Sequence, residues 1–87
     1  MSMNNLRKYL DKRNIGPEEF HKQLNKAYPW LNYAEITIKA WYYGYRNIYP
    51  DNAFYISEFF QGDLSRDELI YSPARLTELK KRLLMAA

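Results

Sequence analysis

The side chains able to do chemistry in this chain are basic and phenolic rather than nucleophilic. His21 is the only histidine. Its helical neighbours at i+3 and i+4 are Leu24 and Asn25, so no second ligand-type residue stands at metal-binding spacing. There is no cysteine, which excludes both a disulfide framework and a thiolate zinc site. The three glycines are isolated at 16, 44 and 62, so no phosphate-cradling loop can form. Glu18 and Glu19 have a sufficient role at the start of a helix, where carboxylates meet the positive end of the dipole. No set of residues supplies the nucleophile, base and orienting group that a mechanism needs, so the chain reads as a non-enzyme without cofactor or metal.

Binding chemistry is better represented. Nine tyrosines are present, and Tyr42, Tyr43, Tyr45 and Tyr49 cluster around Lys39, Arg46 and Asn47. Phenols and guanidinium groups bind phosphates, and tyrosine rings pack on sugars, bases or protein partners. Contact with nucleic acid through at least one of Tyr42, Tyr43 and Tyr45 is therefore an expectation. An aromatic core with a protein interface is the competing one.

These residues lie on or just after a stretch from Asn32 to Pro50. Asn32 is a suitable N-cap, Ala34, Ile38, Trp41 and Tyr45 recur at helical spacing, and Gly44 suits a left-handed C-cap. The other face carries Glu35, Ile36, Lys39, Ala40 and Tyr43. A short helix with one anchoring stripe and one free face fits a DNA major groove. It also fits an ordinary packing element.

The run IKAWYYGYRNIYP resembles the end of the recognition helix and the following loop in Cro/CI-type, lambda-repressor-like helix-turn-helix proteins. Ile38, Trp41, Gly44, Arg46 and Pro50 occupy that pattern. The run PDNAFYISEFFQGDLSRDEL is similar to the closing helices of Cro-like prophage regulators, through Ala53, Ile56, Gly62, Ser65, Arg66, Glu68 and Leu69. The resemblance spans about residues 4 to 71. It implies an all-α, five- to six-helix lambda-repressor-like domain over residues 1–71, and it stops before residues 72–87, which read as an extra C-terminal amphipathic helix. It also implies sequence-specific binding of double-stranded DNA, as a small Cro-like repressor of transcription in phages. On that reading Glu35, Ile36, Lys39, Ala40 and Tyr43 face base edges, with Thr37 at the margin. Arg7, Lys8, Lys22, Lys26, Arg46, Asn47 and Tyr49 then contact phosphates. The alternative is an interaction module, an antitoxin or phage-encoded inhibitor, that keeps the fold with little DNA binding.

Two departures bear on this. His21 stands where the family has a small, Ala-like residue, at a close approach of two helices. The apolar positions Leu24 and Ile38 are fourteen residues apart, a longer gap than the family's. The expected consequence is a lengthened scaffold helix and a small Pro29-Trp30-Leu31 loop, with Trp30 and Leu31 filling the space between helices.

The remaining elements follow from capping and periodicity. A first helix begins after Asn4 or Asn5, with Leu6, Tyr9 and Leu10 inward and Arg7, Lys8, Lys12 and Arg13 on its polar side. Pro17 opens a second helix whose Phe20, Leu24, Ala27 and Tyr28 share one face, and Tyr28-Pro29 closes it. Pro50 or Asp51 starts a fourth helix, with Ala53, Ile56, Phe59 and Phe60 inward and Gly62 at its end. Ser65 and Glu68 form a capping box for a short fifth helix. Ser72-Pro73 opens a last helix to about Met85, striped by Leu76, Leu79 and Leu83 among Arg75, Lys80, Lys81 and Arg82. That stripe serves a homodimer, packing on the core, or added phosphate contacts.

Charge is unevenly spread along the 87 residues. Residues 1–50 hold eight Lys/Arg against four Asp/Glu, residues 51–71 one against five, and residues 72–87 four against one. A basic front suits a polyanionic partner. Apolar content is 47%, enough for one small globular domain. No apolar run approaches a membrane span, and MSMNNLRKYLDKR lacks the apolar core of a signal peptide, so a cytoplasmic location is expected.

Overall fold

A computed structural model describes residues 4–86. It is all-α, with six helices in the order α1 (Asn5–Lys12), α2 (Pro17–Ala27), α3 (Glu35–Tyr43), α4 (Pro50–Phe59), α5 (Arg66–Ile70) and α6 (Pro73–Ala86). No strand occurs among the described residues.

Each helix starts for a local reason. The Asn4 side chain accepts from the Arg7 amide at 2.8 Å and caps α1. Pro17 and Pro50 occupy the first position of α2 and α4, where a missing N–H costs nothing. The Ser65–Glu68 capping box is complete, each residue taking the other's backbone N–H at 3.2 Å. Ser72 accepts from the Arg75 amide at 3.1 Å and opens α6.

Two expectations about α3 need correction. The helix begins at Glu35, and Asn32 does not cap it. Asn32 has φ +45° and sits in a left-handed turn, a conformation that asparagine tolerates. The residue before α3 is Ala34, which makes no side-chain cap bond and is exposed. Tyr45, expected on the anchoring stripe, is 82% exposed. Gly44, at φ +80°, turns the chain back before it, and the Tyr45 and Arg46 amides both donate to the Ala40 carbonyl at 2.8 and 3.3 Å. The stripe that anchors α3 is Ile38, Trp41 and Tyr42.

The core is built by α1 to α5. Leu6, Leu10, Phe20, Leu24, Ile38, Ala53 and Ile56 are fully buried, and Trp41, Ile48, Leu64 and Leu69 nearly so. Phe20 stacks on Phe60 at 5.6 Å between ring centroids. The closest helix neighbours are α2 with α3 and α4 with α5, while α1 lies on α3 and α5. Ala27, expected inward on α2, is exposed.

The linker between α2 and α3 is seven residues, 28–34, and it is not filled as expected. Trp30 is 68% exposed, and Leu31 is only partly covered. Tyr33 occupies the space instead. Its amide donates to the Asn25 side-chain oxygen at 2.9 Å, and its carbonyl accepts from Asn25 Nδ2 and His21 Nε2, both at 2.8 Å. Its hydroxyl donates to Asn52 at 2.6 Å, and its ring meets Trp41 edge-on at 5.1 Å. Three side chains thus hold both backbone groups and the phenol of one residue, and that fixes where α3 can start.

α6 differs from the rest. It buries none of its described side chains, and its substantial packing is on α5. The molecule is correspondingly long, 43 × 27 × 21 Å, with a radius of gyration of 13.6 Å. A compact chain of this length has a radius of about 12 Å.

Candidate nucleic-acid interface

The outer face of α3 is open. Ile36 is 71% exposed and Tyr43 47% exposed, while Glu35 is exposed and Lys39 partly so. Ala40 is the exception among the five expected base-facing residues. It is 8% exposed, in the last turn of α3, where the Tyr45 and Arg46 amides close on its carbonyl. Thr37 is partly covered.

Lys39 is not idle. Its ammonium lies 3.3 Å from Glu35 and 3.4 Å from Glu18 on α2. Its hydrogen bonds to Glu35 and then Glu18 raise its pKa. Glu18 is held below the usual carboxylate range by its own backbone N–H and by Lys39. Both ion pairs are solvent-exposed and easily exchanged for another partner.

At the C-terminal end of α3 the structure gathers residues that are far apart in sequence. The Asn4 side chain, while capping α1, donates from Nδ2 to the Trp41 carbonyl at 2.8 Å and to the Tyr42 carbonyl at 3.4 Å. The first turn of α1 is thereby tied to the last turn of α3. Arg7 follows, with its guanidinium 5.1 Å from the Tyr42 ring centroid and 5.5 Å from that of Tyr43. Its Nε is buried and lies 3.6 Å from Asp11, too far for a hydrogen bond. Beside it is a groove of about 320 Å³. Its polar lining includes Asn4, Arg7, Arg46, Asn47 and the acidic Glu68, and its apolar lining Leu6, Trp41, Ile48 and Leu69.

Comparison with protein-family models, with curated proteins and with solved structures returns no match.

Of the seven expected phosphate contacts, the groove brings together Arg7, Arg46 and Asn47. Tyr49 is 70% exposed but does not line it. Lys22 and Lys26 are exposed on α2, and Lys8 on α1. Lys8, Lys22, Lys26 and Arg46 make no ion pair among the described residues. Lys12 is exposed, and Arg13 is engaged, lying 3.6 Å from the Tyr9 ring centroid and 3.7 Å from Asp63.

Tyr42 leaves the set of candidate contacts. It is 8% exposed, and its hydroxyl donates to Asp11, which raises its pKa, with burial adding to the effect. Tyr43 and Tyr45 remain outward, their ring centroids 6.1 Å apart. The roles of Asn4, Asn25 and Tyr33 were not anticipated. Asn4 is a visible N-cap in sequence, but nothing local indicates that the same amide also reaches α3. His21 and Asn25 stand at i and i+4, which places them on one helix face, and only the fold supplies Tyr33.

Among the described residues no helix is long and apolar enough to cross a membrane, and no group of three or more His, Asp or Glu could hold a metal ion.

Proposed function

We propose that this protein binds double-stranded DNA sequence-specifically, with α3 entering the major groove, as a small Cro-like helix-turn-helix repressor. The reading rests on one juxtaposition: the open face Glu35–Ile36–Lys39–Tyr43 ends at the groove flanked by Arg7, Arg46 and Asn47. A helix face supplies base contacts, and basic and amide groups at its end hold the adjoining phosphates. Ile36 then meets thymine methyls, and Tyr43 and Tyr45 pack on sugar or methyl groups.

Selection from a random duplex library tests this. A DNA-binding protein enriches a defined site, and its affinity for that site falls steeply with salt as phosphate contacts release counterions. No enrichment, or binding indifferent to salt, refutes the reading.

A second reading is a protein-interaction module on the same fold. Exposed Trp30, Ile36, Tyr45 and Tyr49 favour it, since aromatic and aliphatic side chains dominate protein interfaces. The salt slope separates the two.

A further inference from the structure

We propose that α6 is a docking arm that seats on the outer face of α4 in a second copy of this chain, so that two copies exchange arms around a twofold axis. The proposal does not depend on DNA binding.

The arm is apolar, basic and uncovered. Leu83, Leu84 and Met85 are 72–86% exposed at its end. With Leu76, Leu79 and Asp67, Leu83 lines an open groove of about 520 Å³. Apolar side chains concentrated on one short helix mark a contact surface. On the helical wheel Arg75 and Arg82 share one flank of the Leu76–Leu79–Leu83 stripe. Those two residues are seven apart, about 10.5 Å along the axis. Glu78 bridges them, at 3.1 Å from Arg75 and 2.8 Å from Arg82, and holds both guanidinium groups in place.

α4 carries the complement. Phe54 is 47% exposed and lies beside Asp51 and Glu58, which are exposed, also seven residues apart and about 10.5 Å along the axis. Neither carboxylate makes an ion pair among the described residues. Phe54 also begins a surface row of rings running Phe54, Tyr55, Tyr28 and Trp30, with successive centroids 5.5, 5.6 and 5.5 Å apart. An acidic pair beside an exposed ring thus matches a basic pair beside a leucine stripe, at the same spacing. The arm's own α4 is not its seat, since the substantial packing of α6 is on α5. Arm-on-arm pairing is disfavoured, because each arm segment, 72–87, carries four basic residues and one acid. A reciprocal seat on α4 uses each surface twice and closes the assembly.

Sedimentation equilibrium of the full chain across a concentration series tests the idea. The native chain should form a dimer. One variant carries Asp51→Arg with Glu58→Arg, the other Arg75→Glu with Arg82→Glu. Each alone sets like charges against each other and should raise the dimer dissociation constant on the order of tenfold or more. An equimolar mixture restores opposite charges at both seats and should give a dimer of one copy each. Circular dichroism confirms that each variant keeps its helix content. If the arm variant loses α6, Leu83→Asn tests the same contact without disturbing Glu78, and should also weaken the dimer. A native chain that stays monomeric overturns the proposal. So does a dimer indifferent to Asp51→Arg with Glu58→Arg or to Leu83→Asn, or a mixture of folded variants that fails to associate.

Discussion

At the scale of single residues, Lys39, Trp41 and Tyr42 divide the work of α3. Lys39 points outward and pairs with two exposed carboxylates at once. Lys39→Ala should weaken binding to a selected operator and relax its sequence preference, measured by competition with mismatched duplexes. Unchanged affinity would mean that another face meets the bases. Trp41 is 4% exposed and touches Tyr33. Trp41→Ala should cost about 3–5 kcal/mol, enough to unfold a small domain, visible as loss of a cooperative thermal transition. Tyr42 donates to Asp11, and this bond with burial raises its pKa above the ordinary 10.0. A raised folded value means that the contribution is full below pH 10.0 and is lost as pH climbs through the folded value. Tyr42→Phe should therefore destabilise at neutral pH by about 1.5 kcal/mol, the low end for a bond to a charged group, since exposed Asp11 can rehydrate. The gap between variant and native protein should narrow in strong alkali, as urea titrations at several pH values would report.

At the scale of elements, the ends of α3 decide where its face points. Gly44 has φ +80°, and a Cβ there would come no closer than 3.6 Å to Asn4 Nδ2. The space is adequate, so Gly44→Ala should cost about 1–2 kcal/mol through backbone strain alone. The check is a lowered denaturation midpoint with an unchanged denaturant slope. This C-terminus was legible in sequence, because glycine after a periodic run has one common use. So were the prolines opening α2 and α4, and the Ser65–Glu68 box, each a local device with a fixed spacing. The N-terminus of α3 was not legible. Asn32 has the right chemistry for a cap, but the cap position is set by Tyr33, which Asn25 and His21 hold from another helix. Ala40 shows the same limit. Helical periodicity places it outward, yet it is buried in the folded chain, where the Tyr45 and Arg46 amides return to its carbonyl. Trp30 fails for the opposite reason, since a large ring suggests burial while the space it was expected to fill already holds Tyr33.

At the scale of the whole molecule, two parts obey different rules. α1 to α5 share one core, and α6 adds nothing to it. A chain ending at Tyr71 should keep a single cooperative transition and lose no more than about 2 kcal/mol, as read by calorimetry or denaturant titration. The charge division seen in sequence maps onto the elements, with most bases before α4, acids on α4 and α5, and bases again on the arm.

The two indoles lie in contrasting surroundings, Trp41 at 4% exposure and Trp30 at 68%. Emission from this protein is consequently a sum of two colours, one shielded and one wet. A water-borne quencher such as iodide dims Trp30 first and reaches Trp41 only when the domain opens. One cuvette therefore separates events at the linker from loss of the fold, with no label attached.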